Sequence, residues 1–553
     1  MKNRFFSRMS VLTLVAVVLV SFSASAKRAT ITGRVLCDGK GVAGVTVTDG
    51  NVFTKTNEAG EYSLSSNLDY SHFVQITVPS GYEVPCEGAV PQFFHRLDRS
   101  GSNKQSFDFT LSKVDQSNYV VLTFADSHVL GGGTRGSHRD VERFNTQLIP
   151  VVKSYIDEQK AKGKPCYIVH LGDMTQPGGW PERRRDGRRG YGLDDYIRDM
   201  NIGTPVFSAL GNHDHNPSPK GTVFDESTVY QSRANFMKMV GPAYYSFDIG
   251  REHYIVIDNT FVLTKDSGCN SYEGATSGYQ YRVCEQQMSW MEKDIDLLDA
   301  KKYDRIVLCV HNPLHKGNGG SRMLRADRLI NAFKGFEMLV LSGHSHGDTT
   351  IRAEHNGKEC IEIVHPSTAG TAWYTSWCVE GSPGCVEAFH FGGERIKRDF
   401  VPWGEAHEKG LTYRVYDNVH NKWHYPIKSS TGKKWSRARD IEESHYRDKP
   451  AIIVNIWGAY TCTFTESTGG TGNVDNRCYD LAYRDWYWDY YERSLNEEFE
   501  YGDRLRKANW QTPTNGRTHC WRYTPADPTA VVTVEAKDVW GNVIAKFTAQ
   551  AAE

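Results

Sequence analysis

Five short stretches of this 553-residue sequence end an apolar run on side chains that bind cations or move protons. "VVLTFADSH" ends on Asp126 and His128, and "CYIVHLGD" ends on Asp173. "PVFSALGNHD" delivers Asn212, His213 and Asp214, "RIVLCVHNP" delivers His311, and "MLVLSGHSH" delivers His344 and His346. Carboxylates, imidazoles and one amide, without thiolate, suit zinc, manganese or iron and are poor for calcium. Two divalent cations held close together repel each other. A bridging carboxylate and a shared hydroxide must therefore lie between them, with neutral imidazoles completing the shells. Any one of these stretches alone is more often a turn or a helix cap than a ligand set, so the informative feature is five of them in order.

The elements that carry these residues are legible from Tyr119 onward. Short, nearly continuous apolar runs alternate with helical stretches, the pattern of strands buried on both faces of a largely parallel sheet. In open α/β sheets, ligands bind in the crevice beyond the carboxyl ends of the strands. Five strands would thus bring their terminal residues to one crevice. Glycine precedes Asp173, Asn212 and His344, which allows the tight turns that swing each ligand out of its strand end.

The run D-x-H, G-D, G-N-H-D, H, G-H-x-H from Asp126 to His346 resembles the calcineurin-like metallophosphoesterase family, in the family's order and with no ligand missing. "GPAYYSFDIGREHYIVIDN" and "GYQYRVCEQQMSWMEKDIDLL" resemble the strand pair and helix that precede the family's fourth motif. The resemblance implies an α/β fold of two packed mixed sheets flanked by helices. It also implies that Asp126, His128 and His346 hold one metal, that Asp173 bridges, and that Asn212, His311 and His344 complete a second. His213 would be the unligated imidazole facing the leaving group, oriented by Asp214. The metals would neutralise the anionic oxygens of a phosphate ester and supply hydroxide at neutral pH, while His213 stabilises or protonates the leaving oxygen. His170, His215, His315 and His365 lie near the motifs without matching them and are expected in core or ligand-supporting roles. His315 is the best rival to His311, but His311 directly follows the strand.

The rest of the chain frames this domain. Residues 1–26 read as a removed export signal: Lys2, Arg4 and Arg8, an apolar stretch from Val11 to Val20, then Ala24-Ser25-Ala26. The apolar run is shorter than the ~20 residues of a spanning helix, and no later segment looks transmembrane. The mature protein is expected to be periplasmic or extracellular. Residues 27–113 alternate apolar and polar with Gly and Asn turns and read as a small all-β sandwich. They resemble the carboxypeptidase-regulatory or transthyretin-like modules that serve as spacers or docking modules. The catalytic domain is placed at 117–380, with the strands of "VEAFHFGGERIKRDFVPWG" able to belong to either side, and 381–553 as an α+β or β-rich accessory domain. In the latter, Tyr483, Tyr487, Tyr491, Leu495 and Phe499 form one helical stripe, most simply a core face. An exposed aromatic platform contacting glycan or envelope is the other reading of that composition.

A formal net charge of -1 gives no global attraction to nucleic acid or anionic membrane, so no nucleic acid is expected as a stable partner. Arg183, Arg184, Arg185, Arg188 and Arg189 follow the Asp173 motif, either as a solvated loop or as a steering patch for an anionic substrate. Twelve cysteines in an exported chain make disulfides plausible, with Cys269–Cys284, Cys378–Cys385 and Cys462–Cys478 as close pairs. Cys166 and Cys309 are expected as buried thiols. The expected activity is phosphate-ester hydrolysis. Two alternatives are a phosphodiesterase for lipid headgroups, nucleotides or envelope polymers, and a glycan- or envelope-binding protein with a residual enzyme domain.

Overall fold

The computed structural model describes residues 27–131, 139–175, 191–216, 229–262, 279–315, 322–333, 335–378, 380–416, 451–475 and 519–550. The segment read as an export signal, the five-arginine segment and the Tyr483–Phe499 stripe lie outside them.

Residues from Arg28 form two facing sheets. In the first, Arg28–Cys37 alternates buried and exposed residues and pairs antiparallel with Glu61–Asn67 and parallel with Lys104–Ser106 and Phe109–Lys113. The second orders Phe94–Arg96, Phe73–Ile76, Thr46–Thr48 and Phe53–Lys55. This is the all-β module expected, but it is more than a spacer. Phe93 packs its ring 4.6 Å from Tyr245 and 6.0 Å from Phe207, and the Asp248 amide donates to Val78 O at 2.8 Å. One continuous apolar core therefore runs from this module into the next layers.

Those layers are two packed sheets. The strands β1 (Tyr119–Phe124), β2 (Cys166–His170) and β3 (Val206–Ser208) are parallel neighbours. The opposing sheet contains β4 (Tyr245–Ile249), β5 (Glu252–Val256), β6 (Arg305–Cys309), β7 (Glu337–Ser342), β8 (Thr349–His355) and β9 (Lys358–Val364), in the order β4-β5-β6-β7-β9-β8. The chain then returns to the first sheet, where β10 (Cys385–Phe391) pairs antiparallel with β1 and β11 (Lys397–Pro402) closes the edge. Of the two assignments open to these strands, the pairing favours the catalytic side: the sheet continues past 380/381 to Pro402, because β10 supplies the backbone partners on one side of β1.

The apolar strand runs are explained by burial on both faces. Tyr119 and Val121 point to the opposing sheet, whereas Val120, Leu122 and Phe124 join the core under the outer helices. In β6, Val307 and Cys309 face inward while Ile306 and Leu308 face outward. Each such large side chain, fully buried, contributes about 1.5–3 kcal/mol. Helix α1 (Ile149–Ala161) continues directly from a π-helical turn, Phe144–Leu148, and buries Val152, Ile156 and Gln159 at helical spacing. Helix α2 (Glu285–Asp296) does the same against the second sheet with Met288, Met291 and Ile295.

The described C-terminal residues are all strand and loop past β11, apart from the short helix Glu405–Glu408. They form a four-stranded and a three-stranded sheet around Ile452, Val454, Trp521, Tyr523, Val532 and Val534. Cys166 and Cys309 are buried free thiols. Cys378 and Cys385 are also free: the Cys378 thiol turns to Ser367 O at 3.6 Å, while Cys385 is fixed opposite Pro402 in the sheet. Cys269 and Cys478 lie outside the described residues, so the other two pairs are untested.

One buried ion cluster gives a stability prediction. His253 Nδ1 donates to Asp248 Oδ1 at 2.6 Å and Nε2 to Asp294 Oδ2 at 3.0 Å. Burial opposes its charge, yet the two carboxylates win and raise the imidazole to about 10 from 6.5. A raised folded-state value gives stability that is full below 6.5 and lost as the pH passes through about 10. The Tm advantage of wild type over His253→Gln should therefore shrink across that interval in thermal melts. A pH-independent difference would show that His253 is not held as an imidazolium.

Candidate metal centre

The carboxyl ends of β1, β2 and β3 meet those of β6 and β7 at one edge of the sandwich. Asp126 and His128 follow β1, Asp173 follows β2, Asn212 to Asp214 follow β3, His311 follows β6, and His344 and His346 follow β7. The backbone there is unusual. Asp126, His128, Asp173, His344 and His346 all have φ between 45° and 65°. They are half of the ten non-glycine residues with positive φ among those described, and each such conformation costs on the order of 1–3 kcal/mol. Strain concentrated on the very residues that end the strands is what a preorganised site requires. Gly211 is needed for close approach, since a Cβ there would overlap the Asp173 carboxylate. A Cβ on Gly343 would lie 2.7 Å from Asp126 Oδ2.

The carboxylates are aimed by the backbone. Asp126 Oδ2 accepts the His344 amide at 2.7 Å, and Asp173 Oδ1 accepts the His213 amide at 2.8 Å. Their remaining oxygens face imidazoles. Asp126 Oδ1 is 3.2 Å from His346 Nε2 and 3.7 Å from His128 Nε2. Asp173 Oδ2 is 3.6 Å from His128 Nε2 and 3.3 Å from His311 Nε2, which places it between two groups of donors. On the second side, His344 Nδ1, His311 Nε2 and Asn212 Oδ1 lie 2.9–3.1 Å from one another.

The donor set fits cations. Asp126 Oδ1 is buried and accepts no hydrogen bond of good geometry, and His128 Nε2 approaches His346 Nε2 to 3.0 Å. His311 donates Nδ1–H to Leu171 O at 2.8 Å, which leaves the Nε2 lone pair for the centre. Burial, before any other cause, brings His128 and His344 down to about 3, so both are neutral donors. Burial also acts against charge on His311 and His346, but Asp173 raises His311 to about 9 and Asp126 raises His346. The protons on those two rings are the ones a bound cation displaces. Three overlapping groups, Asp126/His128/His346, His128/Asp173/His213 and Asp173/His311/His344, have the compactness a metal ion needs.

His213 is partly exposed, with Nε2 4.0 Å from Asp173 Oδ2 and Nδ1 without a partner. Burial lowers its pKa first of all, against the pull of Asp173. Asp214 does not orient this ring, contrary to the role implied by the sequence. It faces inward, and its carboxylate accepts the backbone amides of Asp173 at 2.6 Å, Gly211 at 2.9 Å and Met174 at 3.0 Å. The side chain after His213 points into the turn, because the turn needs an acceptor for three buried N–H groups. Burial, then the charge of Asp173, raises Asp214 to about 7. Asp214→Ala should leave those amides unpaired, cost about 3 kcal/mol or more, and reduce metal content with it. Chemical denaturation and elemental analysis of the variant check this; an unchanged midpoint would contradict it.

The four other histidines have partners of their own. His170 contacts Ser127, Tyr196 and the Gly172 amide, His215 contacts Ser232 and Asp258, and His365 contacts Ser342 O and Glu387. His315 turns away to Glu362. Two residues escaped the sequence reading. Tyr281 Oη is 2.9 Å from His344 Nε2 and fixes that ring. Arg322 donates to Ser345 Oγ at 3.2 Å and lies over the Tyr281 ring, which puts an exposed positive charge at the rim. The only signal was the alternation in "GYQYRV". Tyr244 and Tyr245 do not line the centre; their hydroxyls donate to Gly50 O and Ser208 O.

Residues 119–348 match the family model described as Calcineurin-like phosphoesterase, and residues 29–114 match that described as the N terminal of Calcineurin-like phosphoesterase. Similar solved structures include a dimetal phosphatase from Danio rerio, with 13% identity, TM-score 0.33 and coverage of 52% of this chain and 99% of that one. A purple acid phosphatase from yellow lupin (Lupinus luteus) seeds has 12% identity and TM-score 0.33, covering 65% and 67%. A putative 5'-nucleotidase from Staphylococcus aureus has 12% identity and TM-score 0.31, covering 52% and 54%. No curated protein sequence matches the chain.

Proposed function

We propose that this chain, whose residues 119–348 belong to the calcineurin-like phosphoesterase family and which is on that ground a metal-dependent phosphoester hydrolase, works with two cations that share Asp173 and acts outside the cytoplasm. The observation that carries the reading is the position of Asp173 Oδ2 within 3.6 Å of His128 Nε2 and 3.3 Å of His311 Nε2. Asp126, His128 and His346 would hold one cation, and Asn212, His311 and His344 the other. Zinc, manganese or iron in that donor set would supply Lewis acidity and lower the pKa of a water toward neutrality.

The chain's own groups do the rest. The backbone amides of His344 and His213 fix the two carboxylates, Leu171 O and Tyr281 fix two of the imidazoles, and Asp214 knits the Asp173 and Asn212 turns together. His213, partly exposed beside the shared carboxylate, is placed to donate to the leaving oxygen of a substrate lying across the centre. Export is supported by the basic, apolar and small-residue order of residues 1–26. Among the described residues no helix is long and apolar enough to cross a membrane.

Metal-reconstituted protein should turn over p-nitrophenyl phosphate, bis-p-nitrophenyl phosphate or both, and chelation should abolish it. Metal-loaded protein inactive on both esters would remove the hydrolase reading. Mass spectrometry of the exported chain should find Lys27 as its first residue.

A further inference from the structure

On the outer face of the second sheet, away from the strand ends that carry the dinuclear centre, His315, His355 and Cys360 bring three further ligand atoms within 4.8 Å of one another. Cys360 and Glu362 of β9 alternate with Ile361 and Ile363, which face the opposing sheet, so the thiol and the carboxylate share the outer face. Ala353 pairs with Cys360 and His355 with Lys358 in the β8–β9 hairpin, which puts His355 on that same face. His315 is delivered by the stretch that leaves His311. The amides of Leu314 and His315 donate to Glu362 Oε1 and Oε2 at 2.8 and 2.9 Å, and His315 Nδ1 lies 2.9 Å from Glu362 Oε2.

We propose that His315, His355 and Cys360 form a separate mononuclear site for a zinc-class divalent cation. Glu362 is fully buried, and Ser342 Oγ also donates to it at 2.9 Å, so four donors converge on its carboxylate, His315 Nδ1–H among them. That fixes the tautomer and presents the Nε2 lone pair outward, the carboxylate–histidine arrangement that supports metal-binding imidazoles. His355 Nε2 stands 2.9 Å away. The same close approach of imidazole nitrogens, 3.0 and 3.1 Å, occurs at His128–His346 and His311–His344 within the dinuclear centre.

Zn–N bonds of ~2.0–2.1 Å and a Zn–S bond of ~2.3 Å require donors roughly 3.3–3.7 Å apart, so shifts of about 1 Å close the shell. The donor set differs from that of the dinuclear centre by a thiolate, which favours zinc over manganese. His355 is partly exposed, so the fourth position opens to solvent. A cation here ties the edge hairpin of the second sheet to the stretch that begins one residue after His311. It is a clamp on the ligand-bearing loop and takes no part in the reaction.

Cobalt(II) reports the site directly, because no proposed ligand of the dinuclear centre carries sulfur. Full-length protein, stripped and saturated with cobalt(II), should show a thiolate-to-cobalt charge-transfer band that Cys360→Ser removes. Zinc-saturated Cys360→Ser and His355→Ala should each hold one zinc fewer per chain than wild type. His355→Ala serves alone if serine at 360 prevents folding, since His355 reaches the surface. Wild type without the band, a band that survives Cys360→Ser, or unchanged zinc content in His355→Ala would each overturn the site in favour of a plain hydrogen bond between the two imidazoles. None of these outcomes bears on the phosphoesterase reading, whose loss shows only in turnover.

Discussion

Asp173→Asn should lose much of the bound metal and lower turnover by about 10³-fold or more, while the flanking β modules stay folded. The side chain is almost the same size, so packing against Gly211 survives. What changes is charge and the second oxygen. Asp173 Oδ1 accepts the His213 amide, and Oδ2 alone stands between His128 and His311. An asparagine that keeps the amide contact turns an NH2 group toward both cation positions, replacing an anionic acceptor with two donors. Repulsion between the two cations is then unscreened. Elemental analysis and circular dichroism of the same preparation separate loss of metal from loss of fold; full metal content with normal turnover would show that Asp173 bridges nothing.

Asn212→Ala and His213→Ala, neighbours in sequence, should fail in different ways. Asn212 Oδ1 lies 2.9 Å from His344 Nδ1 and 3.0 Å from His311 Nε2, so its loss should weaken one cation's occupancy. His213 lies beyond this group, 4.0 Å from Asp173 Oδ2. Its removal should keep both cations and slow the reaction by ~10²–10⁴-fold, the usual worth of a positioned proton donor. The loss should depend on the leaving group: p-nitrophenolate needs little protonation and its ester should suffer least, whereas an alkyl phosphate should suffer most. Equal losses on both esters, with metals intact, would make His213 an electrostatic or positioning residue. Burial, which lowers its pKa, makes this comparison the sharper one.

The strand ends were legible because their residue types are costly to bury without a purpose, and five apolar runs terminated on them in order. The α/β character followed from runs such as 120–124 and 306–309, whose lack of alternation reports burial on both faces, whereas the division into two packed sheets was implied only by the family resemblance. Asp214 was misread because its partners are backbone amides, which have no sequence signature. The sequence left the end of the catalytic sheet open, because β10 joins β1 across more than 250 residues of chain and β11 joins only β10, pairings that carry no local signature. Tyr281 and Cys360 carried no readable pattern, and His315 was visible only as a rival to His311, since each meets its partners through tertiary pairing.

The shared carboxylate is tested most directly by loading stripped wild-type protein with manganese(II) and recording its electron paramagnetic resonance spectrum. Cations joined through Asp173 should give the spectrum of an exchange-coupled pair, and Asp173→Asn should give isolated ions. Catalytically active wild type showing only isolated manganese(II) would contradict a dinuclear centre.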